Sequence, residues 1–472
     1  MINRRPLTIL IGAAVFSLAV YLLLFVRPFP LLTLYDQPLL DLRRRTADLP
    51  LVRWQLIAGF ILLSGLYWLG YRAVLAARGR RAWLVVMGAA LTFMLALCFL
   101  YPFDAADVFD NILHGRILGV HGANPFQQVA RDFRQDPFFP YVAWKRTPSA
   151  YGPLWESLAG LLARLAGDSI LVNVLVFKAA GGVALLAGLG LVASFLRQTA
   201  PEKALAGVYL LAWNPLILYE TVGNGHNDVV MALWVILAAW AIQRRRYTLA
   251  VVSLVVGALI KFIPVLLLPA AGLIALRELP TWRGRLRFVL ITGLLAALLV
   301  VAAYLPFWHG SDTLSISRRQ RLFTSSLPTV AYVLLKPRYG EAAAETISLV
   351  SLGATGLFAL WQGVAAARSR HWWNFSQAAF NVLMFYLLLA CLWFQAWYTV
   401  WPLALAPLLP AGHGRRLGLL FGFAALSKQL IFEPLWLWHP TLNPPYWYGV
   451  RLGLGVMSVP WLYALWGLVS DE

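Results

Sequence analysis

Three aspartates recur at every third position, Asp104, Asp107 and Asp110, just after an apolar run ends at Tyr101, Pro102 and Phe103. A carboxylate can take the proton from an attacking hydroxyl. On one helix this spacing would set all three along a single face, where like charges repel and help to raise a pKa toward that of a general base. The spacing equally suits a helix N-terminus, whose macrodipole favours acids, so both readings stand. The same polar stretch, 104–153, supplies His114 and His121, the basic pair Lys145 and Arg146, and the closing Tyr151, Gly152 and Pro153.

Further candidates lie along the chain. Arg318, Arg319 and Arg321 form a second basic cluster. Like Lys145 and Arg146, they are fitted either to grip a phosphate or pyrophosphate or to attract anionic headgroups. Lys261 stands alone in an apolar run, where a charge faces a cavity or partner or else snorkels to the interface. His226, Asn227 and Asp228 read as a helix N-cap or as hydrogen-bonding groups for sugar hydroxyls or an activated water. Aromatic residues, among them Trp397 and Tyr398, read mostly as an interfacial belt, with some available to stack on a sugar ring.

The elements that must position these residues are membrane helices. Of the 472 residues 60% are hydrophobic and 12% charged, with mean hydropathy +0.70; a soluble domain carries roughly twice that charge. Apolar runs of spanning length recur throughout and do not alternate as barrel strands would, so the expected fold is all-α and polytopic. The net charge of +19 gathers in short blocks such as Arg78, Arg80 and Arg81, or Arg244, Arg245 and Arg246, which argues for topology signals and against nucleic-acid binding. Cys98 and Cys391 sit singly in apolar runs, so neither a disulfide framework nor a zinc-ligand spacing is available. Carboxylates at an outer face can hold Mg²⁺ or Mn²⁺, although nothing in the sequence requires a metal or other cofactor.

Alternating the basic blocks gives an expected plasma-membrane topology with both termini cytoplasmic and about fourteen transmembrane helices. Two N-terminal helices occupy 1–82, a core occupies 83–410 and further helices occupy 411–472. The first run, 7–26, reads as a retained anchor. Residues 104–168 form the first large outer loop, within which 154–166 is too short to span and reads as an interfacial helix. The run 247–276 is expected to break near Lys261 and Pro264. The 223–228 cluster falls on the same outer side as the three aspartates.

An ordered series of short motifs resembles the GT-C type polytopic glycosyltransferases, in particular the bacterial polyprenol-phosphate-mannose-dependent mannosyltransferases and the related family-87 enzymes. The series is Asp107-Val108-Phe109-Asp110, His114-Gly115-Arg116, Gly122-Ala123-Asn124-Pro125-Phe126, Tyr151-Gly152-Pro153-Leu154-Trp155, Trp213-Asn214-Pro215-Leu216, His226-Asn227-Asp228, Lys261-Phe262-Ile263-Pro264 and Gln395-Ala396-Trp397-Tyr398, over roughly 83–410. The resemblance implies a polyprenyl-phosphate sugar as donor, a glycolipid or cell-envelope glycan as acceptor, and inverting transfer at the outer face. It places the catalytic base at Asp107, with Asp104 and Asp110 as alternatives. It leaves phosphate compensation to Lys145, Arg146, Lys261, Arg318, Arg319 and Arg321, and sugar or acceptor contacts to His114, Tyr151, His226, Asn227, Asp228, Trp397 and Tyr398. The sequence departs from the family's pattern at Phe126 and Asn111, where Tyr is frequent. The rival classes are a lipid transporter or flippase, which should show repeat symmetry and midplane charges, and a non-catalytic envelope-assembly subunit.

Overall fold

The structure, a computed structural model, describes residues 5–38, 49–314, 322–432 and 445–469. Among the described residues every regular element is helical, as a lipid environment demands of backbone that has no water to bond. The chain divides into two compact units.

The first unit comprises 1–233, 259–261 and 303–313. Its helices are α1 (Arg5–Val20), α2 (Pro50–Ala76), α3 (Gly79–Cys98), α4 (Asp107–Gly119), α5 (Pro153–Ala166), α6 (Ile170–Thr199), α7 (Ala204–Ala212), α8 (Pro215–Leu218) and the start of α9 (Asp228–Gln243). Local chemistry sets several starts. Ser169 accepts from the Val172 amide to open α6. Asn214 accepts from the Leu216 and Ile217 amides, with Pro215 at the first turn of α8. Helix α1 packs on α2 and α3, and α2 on α7. At the α2–α7 contact the Tyr67 hydroxyl donates to Leu210 O at 2.9 Å and the Tyr209 hydroxyl to Tyr67 O at 2.7 Å. The two N-terminal helices are therefore bonded into the unit that carries the aspartates.

Helices α4 and α5 run side by side in the same direction. Trp155 Nε1 donates to Asn111 Oδ1 at 2.9 Å at one end, and Gly115 and Gly119 meet the Ala159 and Gly160 backbone farther along. Parallel neighbours need a long return, and residues 120–152 provide it through the short 3₁₀ turns Ala130–Phe133 and Phe139–Tyr141. Asn124 ties this loop to 307: its Oδ1 accepts from the Phe126 amide at 3.0 Å and its Nδ2 donates to Phe307 O at 2.8 Å.

The second unit comprises 234–258, 262–302 and 314–472. It holds α10 (Tyr247–Ala258), α11 (Leu268–Glu278), α12 (Trp282–Tyr304, its last turn in the first unit), α13 (Leu327–Tyr339), α14 (Glu341–Arg368), α15 (Asn374–Phe385), α16 (His413–Ser427) and α17 (Pro445–Val469). Helix α14 packs on α11 and α15, and α17 on α13 and α16. A polar ladder crosses α14 and α15, with Gln377 donating to Asn381 and Asn381 to Gln362, each at 2.9 Å.

Among the described residues six helices are long and apolar enough to cross a membrane. A seventh is reached if the pair 201–212 and 215–223, bent by 49°, counts as one span. This makes a membrane protein, but the expected fourteen spans are not reached by helices of that kind. The expected run 247–276 is two helices separated by a 3₁₀ turn, Ile263–Leu267, while 397–411 is a series of short turns. The expected interfacial segment is α5, fourteen residues long.

Candidate active site

The site is built on the segment between α3 and α4. After Cys98 the chain leaves the helix and runs without regular structure to α4, which starts at Asp107. Asp104 therefore precedes the helix, and the expected face of three acids on one helix does not form. Backbone bonds from Leu31 N to Phe99 O (2.8 Å) and from Tyr101 N to Phe29 O (2.7 Å) hold the connecting segment. Phe29 stacks on Phe103 with centroids 3.8 Å apart.

The three aspartates then meet three different environments. Asp104 is half-buried and its Oδ2 accepts from the Tyr219 hydroxyl at 2.8 Å. Asp107, also half-buried, occupies the first turn of α4. Asp110 is buried, and its carboxylate accepts from the Trp144 amide at 2.9 Å and the Ala143 amide at 3.4 Å. Asp110 thus pins the return loop to α4.

The His-Gly-Arg motif is structural at its third residue. Arg116 is buried, and its Nε donates to both oxygens of buried Asp136 at 3.0 and 2.8 Å. Its other nitrogens reach Gly167 O at 2.8 Å and Asp168 Oδ1 at 2.7 Å. Asp136 also meets His121 Nε2 at 2.8 Å and the Phe138 amide at 2.9 Å. His114 is buried on the same helix. Gly115 and Gly119 leave no room for a side chain, since a Cβ would stand 2.5 Å from Ala159 O at the first and closer still to Gly160 O at the second.

A second polar cluster lies where the bent pair ends. Tyr219–Gly223 is a π-turn that leads to Gly225, whose φ of 76° is the left-handed conformation glycine tolerates. Glu220 is fully buried and accepts from Asn224 Nδ2 at 2.9 Å. Its Oε2 lies 3.6 Å from His226 Nδ1. Burial holds the His226 imidazole well below its usual pKa, and the nearby Lys261 charge adds to the effect. Asp228 accepts from Lys261 Nζ at 2.6 Å. Lys261, the one charge of its apolar run, thus pairs with one of the groups expected at the sugar. Tyr151 joins them, its ring centroid 5.6 Å from the same Nζ. Gly152 and Leu154 bring that tyrosine in by donating their amides to Ile260 O and Leu259 O at 2.9 and 3.0 Å.

The other expected residues have other neighbours in the first unit, belong to the second unit, or fall outside the described residues. Lys145 is half-buried over the Phe139 ring, at 4.6 Å, and Arg146 is exposed. Arg318, Arg319 and Arg321 lie outside the described residues. Trp397 and Tyr398 belong to the second unit, where Tyr398 stacks on Trp401 at 4.5 Å. Buried Lys428 of the same unit donates to Gln395 Oε1 at 3.4 Å. No group of three or more His, Cys, Asp or Glu side chains converges to hold a metal among the described residues.

Sequence reasoning passed over Lys178, Tyr219, Glu220, Glu156 and the Arg116–Asp136 pair. Lys178 and Glu220 carried a usable signal, a charge inside an apolar run, which is the signal that picked out Lys261. Asp136 carried none, being one acid in a polar loop. Glu156 is fully buried, accepts from the Ser149 hydroxyl at 2.5 Å, and its burial raises the carboxyl pKa to about 7, against the lowering effect of that bond.

Residues 10–277 match the family model described as alpha-(1->6)-mannopyranosyltransferase, N-terminal domain. The match takes in the first two helices as well as both polar clusters. The sequence is 24% identical to alpha-(1->6)-mannopyranosyltransferase B of Corynebacterium glutamicum over 134 residues, 28% of this chain and 22% of that protein. It is 21% identical to alpha-(1->6)-mannopyranosyltransferase A of the same organism over 178 residues, 37% of this chain and 36% of that protein. The matched stretches thus span only part of either relative's length.

Proposed function

Because the chain belongs to the alpha-(1->6)-mannopyranosyltransferase family, we propose that it transfers mannose from a polyprenyl-phosphate donor to a glycolipid or cell-envelope glycan acceptor. The reaction takes place at the outer face of the plasma membrane, with Asp107 as general base. The acceptor oxygen attacks the anomeric carbon, the bond from that carbon to the phosphate oxygen breaks, and the acceptor proton passes to the carboxylate. A β-linked donor is inverted to an α-linked product and no glycosyl-enzyme forms. The charge that grows on the departing lipid phosphate is met by Lys145 or Arg146.

One observation carries the choice of base: Asp107 stands half-buried at the first turn of α4, at the motif position that the resemblance assigns to the base, whereas Asp110 is buried with its carboxylate on two loop amides. The polar groups about Lys261, Asp228 and Tyr151 in the same unit supply hydroxyl and carboxylate contacts suited to a sugar.

The test is sugar transfer by purified protein in lipid, given radiolabelled polyprenyl-phosphate mannose and a glycolipid acceptor extract. Asp107→Asn is expected to lower the rate by about a hundredfold or more, with Asp104→Asn and Asp110→Asn alongside to test the alternative bases, each variant checked for intact folding. Retention of full rate by Asp107→Asn would remove the base from that position. A wild-type protein that moves no sugar from this donor would overturn the reading itself.

A further inference from the structure

Lys178 lies in the middle of α6, fully buried. Its Nζ meets three main-chain carbonyls at the end of α3: Leu97 O at 3.3 Å, Cys98 O at 3.4 Å, and Leu100 O. No carboxylate stands within salt-bridge distance of it among the described residues. Three main-chain carbonyls thus converge on this one side-chain amine and accept from it.

The position of those carbonyls matters for the site. Leu100 is followed within four residues by Asp104 and within seven by Asp107. The stem of Lys178 also lies beside Gly225, where a Cβ would come 3.5 Å from Lys178 Cγ and 2.8 Å from Val108 Cγ2. Val108 is the neighbour of Asp107 in the first turn of α4. One side chain thus touches the end of α3, the glycine turn of the second polar cluster and, across that turn, the start of α4. Tethers to Phe29 and Leu31 hold the same segment from the other side.

We propose that Lys178 is a positioning residue for the transfer reaction: its buried amine fixes the segment after α3 and so sets where Asp104 and Asp107 stand. The inference rests on the sugar-transfer reading for its kinetic consequence, but not for its structural one. Lys178 touches no reacting atom and acts through the backbone.

The experiment reads both consequences. Cys98 and Cys391, the two cysteines of the chain, are replaced by alanine, and a nitroxide is attached at Ala105→Cys, a half-exposed position in the connecting segment. In lipid, Lys178→Met is expected to turn an immobilised spectrum into a mobile one. In the unlabelled full chain, the same substitution is expected to lower kcat by about a hundredfold, the effect of an ångström-scale misplacement. KM for polyprenyl-phosphate mannose should hold within about twofold, because substrate binding does not use this group. Lys178→Gln, which keeps two N–H donors, should fall between on both readouts, and it carries the measurement if the methionine variant does not fold. An unchanged nitroxide spectrum would overturn the proposal. So would a variant that loses thermal stability while its folded fraction keeps the wild-type kcat. If wild-type protein transfers no sugar, the enzyme reading falls and the nitroxide arm still decides whether Lys178 orders the segment.

Discussion

Removing Arg116 separates the value of a buried ion pair from that of an exposed one within a single side chain. Arg116 and Asp136 are buried, at 2% and 0% exposure, whereas Asp168 on the other arm of the guanidinium is 80% exposed. Arg116→Met keeps most of the side-chain volume but leaves the Asp136 carboxylate in the interior without its guanidinium partner. Breaking a buried pair from one side costs about 3–5 kcal/mol. The lower end is expected here, because His121 and the Phe138 amide remain on Asp136. Asp168→Ala removes only the solvated arm and should cost less than about 1 kcal/mol. The measurement is equilibrium unfolding in mixed micelles with rising denaturing detergent, followed by tryptophan fluorescence. Arg116→Met with Asp136→Leu should cost less than the two single changes added together, with a coupling of about 2 kcal/mol. Equal small losses for Arg116→Met and Asp168→Ala would refute the reasoning, since burial would then make no difference.

Four further outcomes rest on the same geometry. Gly119→Ala places a methyl against the Gly160 carbonyl and should destabilise by about 3 kcal/mol or more, because backbone cannot step aside. Gly88→Ala in α3, where a Cβ meets nothing within 4 Å, should be neutral or stabilising by up to about 1 kcal/mol in the same unfolding assay. Glu156, with its folded-state pKa raised to about 7 by burial, binds its proton more tightly folded than unfolded. Its contribution is therefore full below the ordinary glutamate range and is lost as pH rises from there through about 7. Glu156→Gln should match wild type below about pH 4 and exceed it at pH 8 by a few kcal/mol (order of magnitude); equal pH slopes for the two proteins would count against a buried protonated carboxyl. Lys261→Met takes the ammonium away from buried Asp228 and should cost about 3 kcal/mol in that assay, with partial recovery in Lys261→Met/Asp228→Leu.

Particular residues show how far the sequence could be read. The helical class was legible because apolar runs without alternation have only one way to satisfy their backbone in lipid. The break near Lys261 and Pro264 was legible because proline ends or kinks a helix locally. The two polar stretches 104–153 and 223–228 were legible as places where polar groups collect in an apolar chain. The span count was not: hydropathy marks apolar residues but does not show where a helix bends or stops, as in the bent pair 201–223 and the turns after 396. Periodicity also misled at Asp104, which has the spacing of a helical face but lies ahead of the helix.

Roles divided along the same line. Residue type and order identified Asp107, Lys261 and Asp228 as candidates, since rare charges in an apolar chain stand out one at a time. Pairing was decided in three dimensions. Lys261 meets Asp228 across 33 positions, Tyr219 meets Asp104 across 115, and Lys178 meets Leu100 across 78. No local rule connects such positions; each bond forms because neighbouring helices pack and bring the groups together in an interior where an unmatched charge is costly. The sequence by itself determined that charge would be scarce, helical and clustered. Only the tertiary structure decided which of these charges pair with one another and hold the scaffold together.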